Sequence, residues 1–263
     1  MDDRALRDEF AGAGATTPWR SLDVVTATGS TNADLFARAM AGEDIAGAVL
    51  LAENQTAGRG RNGRSWSAAP HAQVILSVGV DSGGVAPGAW GWLPLSAGIA
   101  VVDAVLAVTG VRVGLKWPND VLARTDGPPR KLAGILSEVA APHPVIILGI
   151  GLNVTLSADE SENPGAVSLQ DLGASTLDRT ALVSRLLHEL ADRIGQWRDG
   201  RTLADDYRQR SLTIGSRVRA SLPGDKEVTG VAADVDDQGR LLIDTDQGTV
   251  TVSAGDVVHV RAV

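Results

Sequence analysis

The sequence predicts an α+β protein in which a mixed β-sheet domain packed with helices (residues 1–211) precedes a small all-β domain (212–263). Three observations carry this. Strand-like apolar runs alternate with helical patterns up to about residue 211. From 212 on, five short β runs follow one another, separated by Gly/Pro/Asp turns. A hydrophobic fraction of 44% over 263 residues is ample for a core, and with aromatics at only 3% that core must be mostly Leu, Val, Ile and Ala.

Residues 1–20 read as a weak helix and a Gly/Ala/Thr lead-in. "NADLFARAMAG" (32–42) is a helix, with Ser30 or Thr31 as N-cap and Asp34 in its first turn. "AGAVLLAEN" and "AQVILSVGV" are strands. "GAWGWLPLSAGIAVVDAVLAVTG" is a long buried helix starting near Trp92 and stopping at Gly110. "VRVGLKWPND" is a strand that runs into a turn at Pro118–Asp120. "RKLAGILSEVA" and "HPVIILGIGLNV" are strands joined by a Pro-flanked turn at 141–144. "DRTALVSRLLHELADRIGQW" is an amphipathic helix and "LADDYRQRS" a shorter one. The five runs of the second domain are "SRVRASL", "VTGVAADV", "RLLIDT", "GTVTVS" and "DVVHV", with turns at 223–225, 237–239 and 246–248.

Several function classes are disfavoured. Without cysteine there is no thiol nucleophile, disulfide or Cys-ligated metal. A net charge of −8 argues against a broad nucleic-acid-binding face. The acidic start "MDDRALRDEF" lacks a signal peptide's apolar region, and runs such as "PVIILGIGLNV" fall short of a membrane span, so a soluble cytoplasmic protein is expected. The histidines (His71, His143, His188, His259) are scattered and receive no role. Trp90, Trp92 and Trp197 read as core, and Trp19 is left open.

Gly58-x-Gly60-x-x-Gly63 spells a dinucleotide fingerprint, with Asp81 where a ribose-binding acid would stand. Its flanks reject that reading. "VLLAE" ends several residues early, and "RSWSAAPHA" leaves no room for the crossover helix between parallel strands, about a dozen residues or more. The neighbouring strands are expected to pair as a hairpin around a long loop. No Gly-Lys-Ser/Thr follows, so a phosphate-binding P-loop fails too. What remains is a loop of three glycines and three arginines (Arg59, Arg61, Arg64). Such a loop is either solvated and mobile or built for an anion.

"TGSTN", "GRGRNGRSW", "KWPNDV", "KLAGIL" and "GIGLNV" occur in that order. Together they resemble the biotin protein ligases, the motifs covering about residues 22–155 and the overall layout the rest. The resemblance implies an SH3-like barrel for 212–263. It also implies an ATP- and Mg²⁺-dependent reaction: biotin is activated as biotinyl-5′-AMP with release of pyrophosphate, then passed to one lysine of a biotin carboxyl carrier domain of acyl-CoA carboxylases. The implied biotin subsite is Ser30, Thr31, Asn32, Gln55, Gly58, Arg59, Arg61, Lys131 and Gly134. The implied ATP/adenylate subsite is Arg61, Arg64, Trp66, Lys116, Asn119, Asp120, Lys131 and Asn153, with Asp120 also the metal candidate. Lys131 is the first choice of catalytic residue, bridging biotin carboxylate and α-phosphate, with Arg61 as clamp and Trp66 stacked on adenine.

Such chemistry suits the residues. Two anions must be brought together, and Arg59, Arg61, Arg64, Lys116 and Lys131 gather positive charge in an acidic chain. No side-chain nucleophile is needed. Plainer roles stand beside these: a helix cap for Ser30–Asn32, turn chemistry for Asn119 and Asp120, a solvated strand end for Lys131. Gly134, Gly149 and Gly151 leave strand positions bare, which suits a slot for a flat bicyclic ring. The Gly/Arg loop is expected to be mobile alone and ordered by biotinyl-AMP. The stretch before Leu22 is too short for a folded domain, so the likeness is to members without an N-terminal DNA-binding domain, and no nucleic-acid or membrane partner is expected. Two alternatives remain at this level: a lipoate or octanoate ligase, and a non-enzymatic biotin- or DNA-binding regulator.

Overall fold

The computed structural model describes every residue except 12–16, 68, 141–143, 158, 162, 223–225, 254 and 261–263. The turns expected at 141–144 and 223–225, and His143, therefore fall wholly or mostly outside the described residues. Seven strands form the larger sheet: β1 (Ser21–Val25), β2 (Ala48–Ala52), β3 (Gln73–Asp81), β4 (Gly114–Lys116), β5 (Asp120–Ala123), β6 (Arg130–Ala140) and β7 (Val145–Asn153). Their order is β1-β2-β3-β7-β6-β5-β4. Only β1 and β2 are parallel; β2 and β3 are antiparallel, as the failed fingerprint required. Two strands escaped the sequence reading. β1 is a half-exposed edge containing Asp23, and β5 begins inside the expected Pro-Asn-Asp turn.

The two faces of this sheet are clad differently, and strand alternation decides how. On one face Val74, Leu76 and Val78 of β3 and Ile146, Leu148 and Ile150 of β7 join a core with three helices: α1 (Asp3–Ala11), α3 (Trp92–Thr109) and α4 (Arg179–Arg198). Helix α3 is buried nearly all round and stops at Gly110, whose φ of +73° a side chain would disfavour. With the turn before it, Pro87–Thr109 is long and apolar enough to cross a membrane, against the expectation that no run would qualify. It is a core helix instead: most of its apolar stretch is buried inside the molecule, and its Asp103 pairs with Arg193 and Arg210 at 2.8 Å each. Asp178 caps α4, accepting from Thr180 N at 2.8 Å and Ala181 N at 3.2 Å.

The other face is covered at one end only. Helix α2 (Thr31–Met40), capped by Ser30, lays Leu35 against Leu50, Ala140 and Ile147. Past α2 the face is open, and the candidate site lies there.

The second domain contains all five expected strands: β8 (Arg217–Leu222), β9 (Lys226–Val235), β10 (Leu241–Thr245), β11 (Gly248–Val252) and β12 (Asp256–His259). They form an antiparallel sheet ordered β11-β10-β9-β8-β12, with Val218, Ala220, Ala232, Leu241, Ile243 and Val257 inside. Two indoles fasten this domain to the first: Trp92 Nε1 donates to Asp236 O at 3.1 Å and Trp117 Nε1 to Gly239 O at 3.0 Å. Helix α5 (Ala204–Arg210) adds a fork from Arg208 to Asp234, at 2.7 and 2.8 Å, which holds that carboxyl below the ordinary range. Trp90, Trp92, Trp197 and Trp19 all pack in or against the core.

A Cβ at Gly91 would stand 2.4 Å from the Gln238 carbonyl oxygen, which is backbone and cannot swing aside. Gly91→Ala is expected to destabilise the protein by about 1–3 kcal/mol through forced separation of the domains. A denaturant melt checks it, and an unchanged midpoint would contradict this docking.

Candidate active site

Strand register places three glycines side by side on the open face. Gly151 of β7 pairs with Gly134 of β6 and Ile75 of β3, and Gly149 with Leu136 and Ser77. The bare strip is the floor of a cleft of about 280 Å³, at the low end for small-ligand sites. The first turn of α2 walls one end, β5 and the start of β6 the other, and residues 58–66 form the rim. Of the site residues proposed from sequence, all but Gly58 and Lys116 line this cleft.

Lys131 reaches the cleft through a bulge. Across β5 and β6, Val121 pairs with Ala133 but Leu122 pairs with Lys131, so Leu132 is an extra residue. Lys131 and Gly134 are three apart and would otherwise face opposite sides. With Leu132 and Ala133 both buried in the core, both face the cleft, and a Cβ on Gly134 would lie 3.1 Å from Lys131 Cε. The Lys131 ammonium is 2.5 Å from Asp120 Oδ1 and 5.4 Å from the Trp66 ring centroid. Asp120 is also 3.5 Å from Lys116. Lys116 thus stands behind Asp120, not in the cleft.

The Gly/Arg segment is a small hairpin. Trp66 N donates to Gly58 O at 2.8 Å and Gly60 N to Arg64 O at 2.7 Å. Asn62 and Gly63 turn it with φ of +56° and +73°, the left-handed pair that Asn-Gly favours. Each fingerprint glycine thus has its own role. Gly63 makes the turn. Gly60 closes it. Gly58 lies beneath the hairpin, where a Cβ would be 2.4 Å from Trp66 O and 2.8 Å from Gln55 Nε2. The three arginines diverge. Arg59 faces Glu138 at 3.5 Å. Arg64 is paired with Asp256 of β12, in the second domain. Arg61 donates to Asn119 Oδ1 at 3.2 Å and makes no ion pair among the described residues. Burial, above all, pushes its pKa below the ordinary guanidinium value, partly offset by Asp256 and Asp120.

The slot expected over the glycines is already filled. A Cβ on Gly151 would meet the Trp66 indole at 2.4 Å and one on Gly134 at 2.8 Å, while one on Gly149 would meet Asn32 Oδ1 at 2.2 Å. Bare strand positions there admit Trp66 and Asn32 themselves. Trp66 is anchored by Nε1 to Gln73 Oε1 at 3.3 Å. Asn153 is buried and fully engaged, accepting from Gln73 Nε2 at 2.8 Å and donating to Val167 O at 3.1 Å. Asn119 Nδ2 likewise donates to Ile135 O at 2.8 Å. Both asparagines therefore hold the walls of the cleft.

Asp120 does not stand free for a metal, because two ammonium groups flank it. Among the described residues no group of three or more His, Cys, Asp or Glu could hold an ion. Sequence reasoning passed over Gln73, Ser77 and Glu138. The signal was present: polar Gln73 and Ser77 sit four apart in the apolar run "QVILSVGV", on one strand face. Glu138 stands four beyond Gly134 on the same face of β6. His259 has a structural place beside Thr213, at 3.1 Å, where burial and then Lys116 hold its pKa below the ordinary value.

Gly151→Ala should drive Trp66 from its seat. The expected result is faster amide exchange across residues 58–66 with the rest of the fold protected as before; unchanged exchange there would remove Trp66 from the slot.

Known proteins resemble this chain along nearly its whole length. Residues 27–154 match the model of the biotin/lipoate A/B protein ligase family, and 213–260 that of the biotin protein ligase C-terminal domain. The chain is 59% identical to a biotin--[acetyl-CoA-carboxylase] ligase of Mycobacterium tuberculosis, over 99% of this chain and 96% of that protein. It is 31% identical to the bifunctional ligase/repressor BirA of Escherichia coli, over 92% of this chain and 74% of that one. The fold resembles a biotin protein ligase from Aquifex aeolicus solved with biotin and ATP, with a TM-score of 0.78 and 24% identity, covering 92% of this chain and all of the other. From cleft, motifs and full-length identity together, the chain belongs to the biotin protein ligase family.

Proposed function

We propose that this cleft performs both half-reactions of an ATP-dependent biotin–protein ligase, with Lys131 at the point where the reacting groups meet. The observation that carries the assignment is convergence: in a chain of net charge −8, Lys131, Arg59 and Arg61 all face one cavity. Attack of the biotin carboxylate on the α-phosphorus breaks the bond to the leaving pyrophosphate and gives biotinyl-5′-AMP. The amine of a carrier lysine then attacks the acyl carbon, and AMP leaves. No covalent enzyme intermediate is required. The work is positioning and charge stabilisation.

Lys131 suits the first step because an ammonium has three donors. One is satisfied by Asp120; two remain for a carboxylate oxygen and a phosphate oxygen. Arg61, part-buried and without a carboxylate partner among the described residues, is ready for a phosphate. Ser30, Thr31, Asn32 and Gln55 form the polar end of the cleft for the ureido ring. The cavity is small for biotin and adenylate together, so in this reading Trp66 leaves the glycine strip and offers its face to adenine. Gly58 and Lys116 act indirectly, through the hairpin and through Asp120. Magnesium would enter with the ATP substrate and supply countercharge to its phosphates, since Asp120 is already held by two cations.

Residues 1–211 carry the chemistry, and residues 212–263, read as the SH3-like barrel, brace the arginine hairpin through Asp256. The acceptor is a biotin carboxyl carrier domain of an acyl-CoA carboxylase in the cytoplasm. Neither nucleic acid nor membrane takes part.

Lys131→Ala is expected to keep the fold and lower biotin-dependent pyrophosphate release by about 10²–10³-fold. A parental rate would remove Lys131 from the mechanism. Lipoate and octanoate, run beside biotin in the same assay, should release little; a preference for either would sink the biotin reading. In hydrogen exchange, residues 58–66 should gain protection when biotinyl-AMP is added, and equal protection would rule out closure of the hairpin over the adenylate.

A further inference from the structure

Behind the polar end of the cleft lies a chain of hydrogen bonds that ends on one carboxylate. Asn32 Nδ2 is 2.9 Å from Glu138 Oε2 and 3.4 Å from Leu136 O. Ser77 Oγ is 2.6 Å from Asn32 Oδ1 and 2.7 Å from Thr31 Oγ1. Thr31 N donates to Gln55 Oε1 at 2.8 Å. The other Glu138 oxygen is 3.5 Å from Arg59 of the hairpin. Glu138 therefore touches both the start of α2 and the Gly/Arg rim.

An ionised carboxylate only accepts hydrogen bonds. The Asn32 amide must then turn its NH₂ toward Glu138, which leaves Oδ1 as acceptor for the Ser77 hydroxyl. With its own proton committed to Asn32, Ser77 can only accept from Thr31, whose hydroxyl has a second acceptor in Gln55 Oε1 at 3.1 Å. As an acceptor, Glu138 thus orients the Asn32 amide and, through it, the Ser77 hydroxyl, and it fixes which face those groups show the cleft. Its other oxygen faces the Arg59 guanidinium of the hairpin.

We infer that Glu138 is a positioning residue for the ligase reaction, orienting the Thr31–Ser77–Asn32 relay at the biotin end while tethering the hairpin through Arg59. This rests on the reading of the cleft as the biotin site. Glu138 touches no reacting atom. It sits four residues beyond Gly134 on the same strand face, beside the cleft rather than in it.

Two variants separate its two contacts. Glu138→Gln keeps an acceptor for Asn32 but loses the charge opposite Arg59. Glu138→Ala loses both. Calorimetry with biotin alone, steady-state pyrophosphate release and amide exchange provide the readouts. Glu138→Ala should weaken biotin binding about tenfold or more and raise the biotin KM in step, with ATP KM unchanged. Glu138→Gln should hold biotin within about twofold of parent, since a neutral acceptor replaces the charged one. Both should exchange faster at 58–66. Arg59→Gln combined with Glu138→Gln should exchange no faster than either alone, because both break the same contact. Parental biotin affinity in Glu138→Ala, or loop exchange unchanged in both variants, overturns the assignment. Failure of the parental protein to bind biotin would instead overturn the reading of the cleft itself.

Discussion

Everything at this site depends on a strip of sheet without side chains. Gly134, Gly149 and Gly151 lie across two neighbouring strands, and the space above them is where Trp66 and Asn32 rest. A single methyl group at any of these positions would meet a neighbour well inside van der Waals contact. The opposite face shows the contrast. There the same strands carry Leu, Ile and Val, and α3 and α4 seal them from water. One sheet thus serves as core on one side and as workbench on the other, and alternation of side chains along each strand keeps the two roles apart.

Charge is arranged on this floor with equal economy. Cations brought together in a part-buried cleft repel one another and lose hydration. Carboxylates answer most of them: Asp120 for Lys131 and Lys116, Glu138 for Arg59, Asp256 for Arg64. Arg61 has an amide instead. The carboxylates come from the sheet and from the second domain, the cations from the hairpin and the strand ends. Holding the cations in place beforehand spares the reaction the cost of gathering them later, which is the general advantage of a preorganised site.

The second domain is part of this arrangement. Trp92 and Trp117 fix it at the start of α3 and beside the Pro118 turn, and Asp256 then reaches back to the hairpin. A contact at one end of β12 therefore bears on the rim of a cleft built in the other domain.

Much of this was legible in the sequence. Periodicity and end signals located α2, α3, α4 and α5, because capping residues and a terminal glycine are local chemistry. The five strands after residue 212 were legible for the same reason. Flanking residues alone were enough to reject the dinucleotide reading of Gly58–Gly63, and the ordered motifs named the family and most residues of the cleft. Tertiary structure decided the rest. The extra residue at Leu132, which turns Lys131 onto the same face as Gly134, exists only in the pairing with β5. Trp66 lies in the glycine slot because a hairpin folds back on strands distant in sequence. Arg64 answers to Asp256, and Asn32 to Glu138, across separations of 192 and 106 residues. Local propensity is written in neighbouring residues. Which side chain fills which space depends on contacts between distant ones, and those form only when the sheet is assembled.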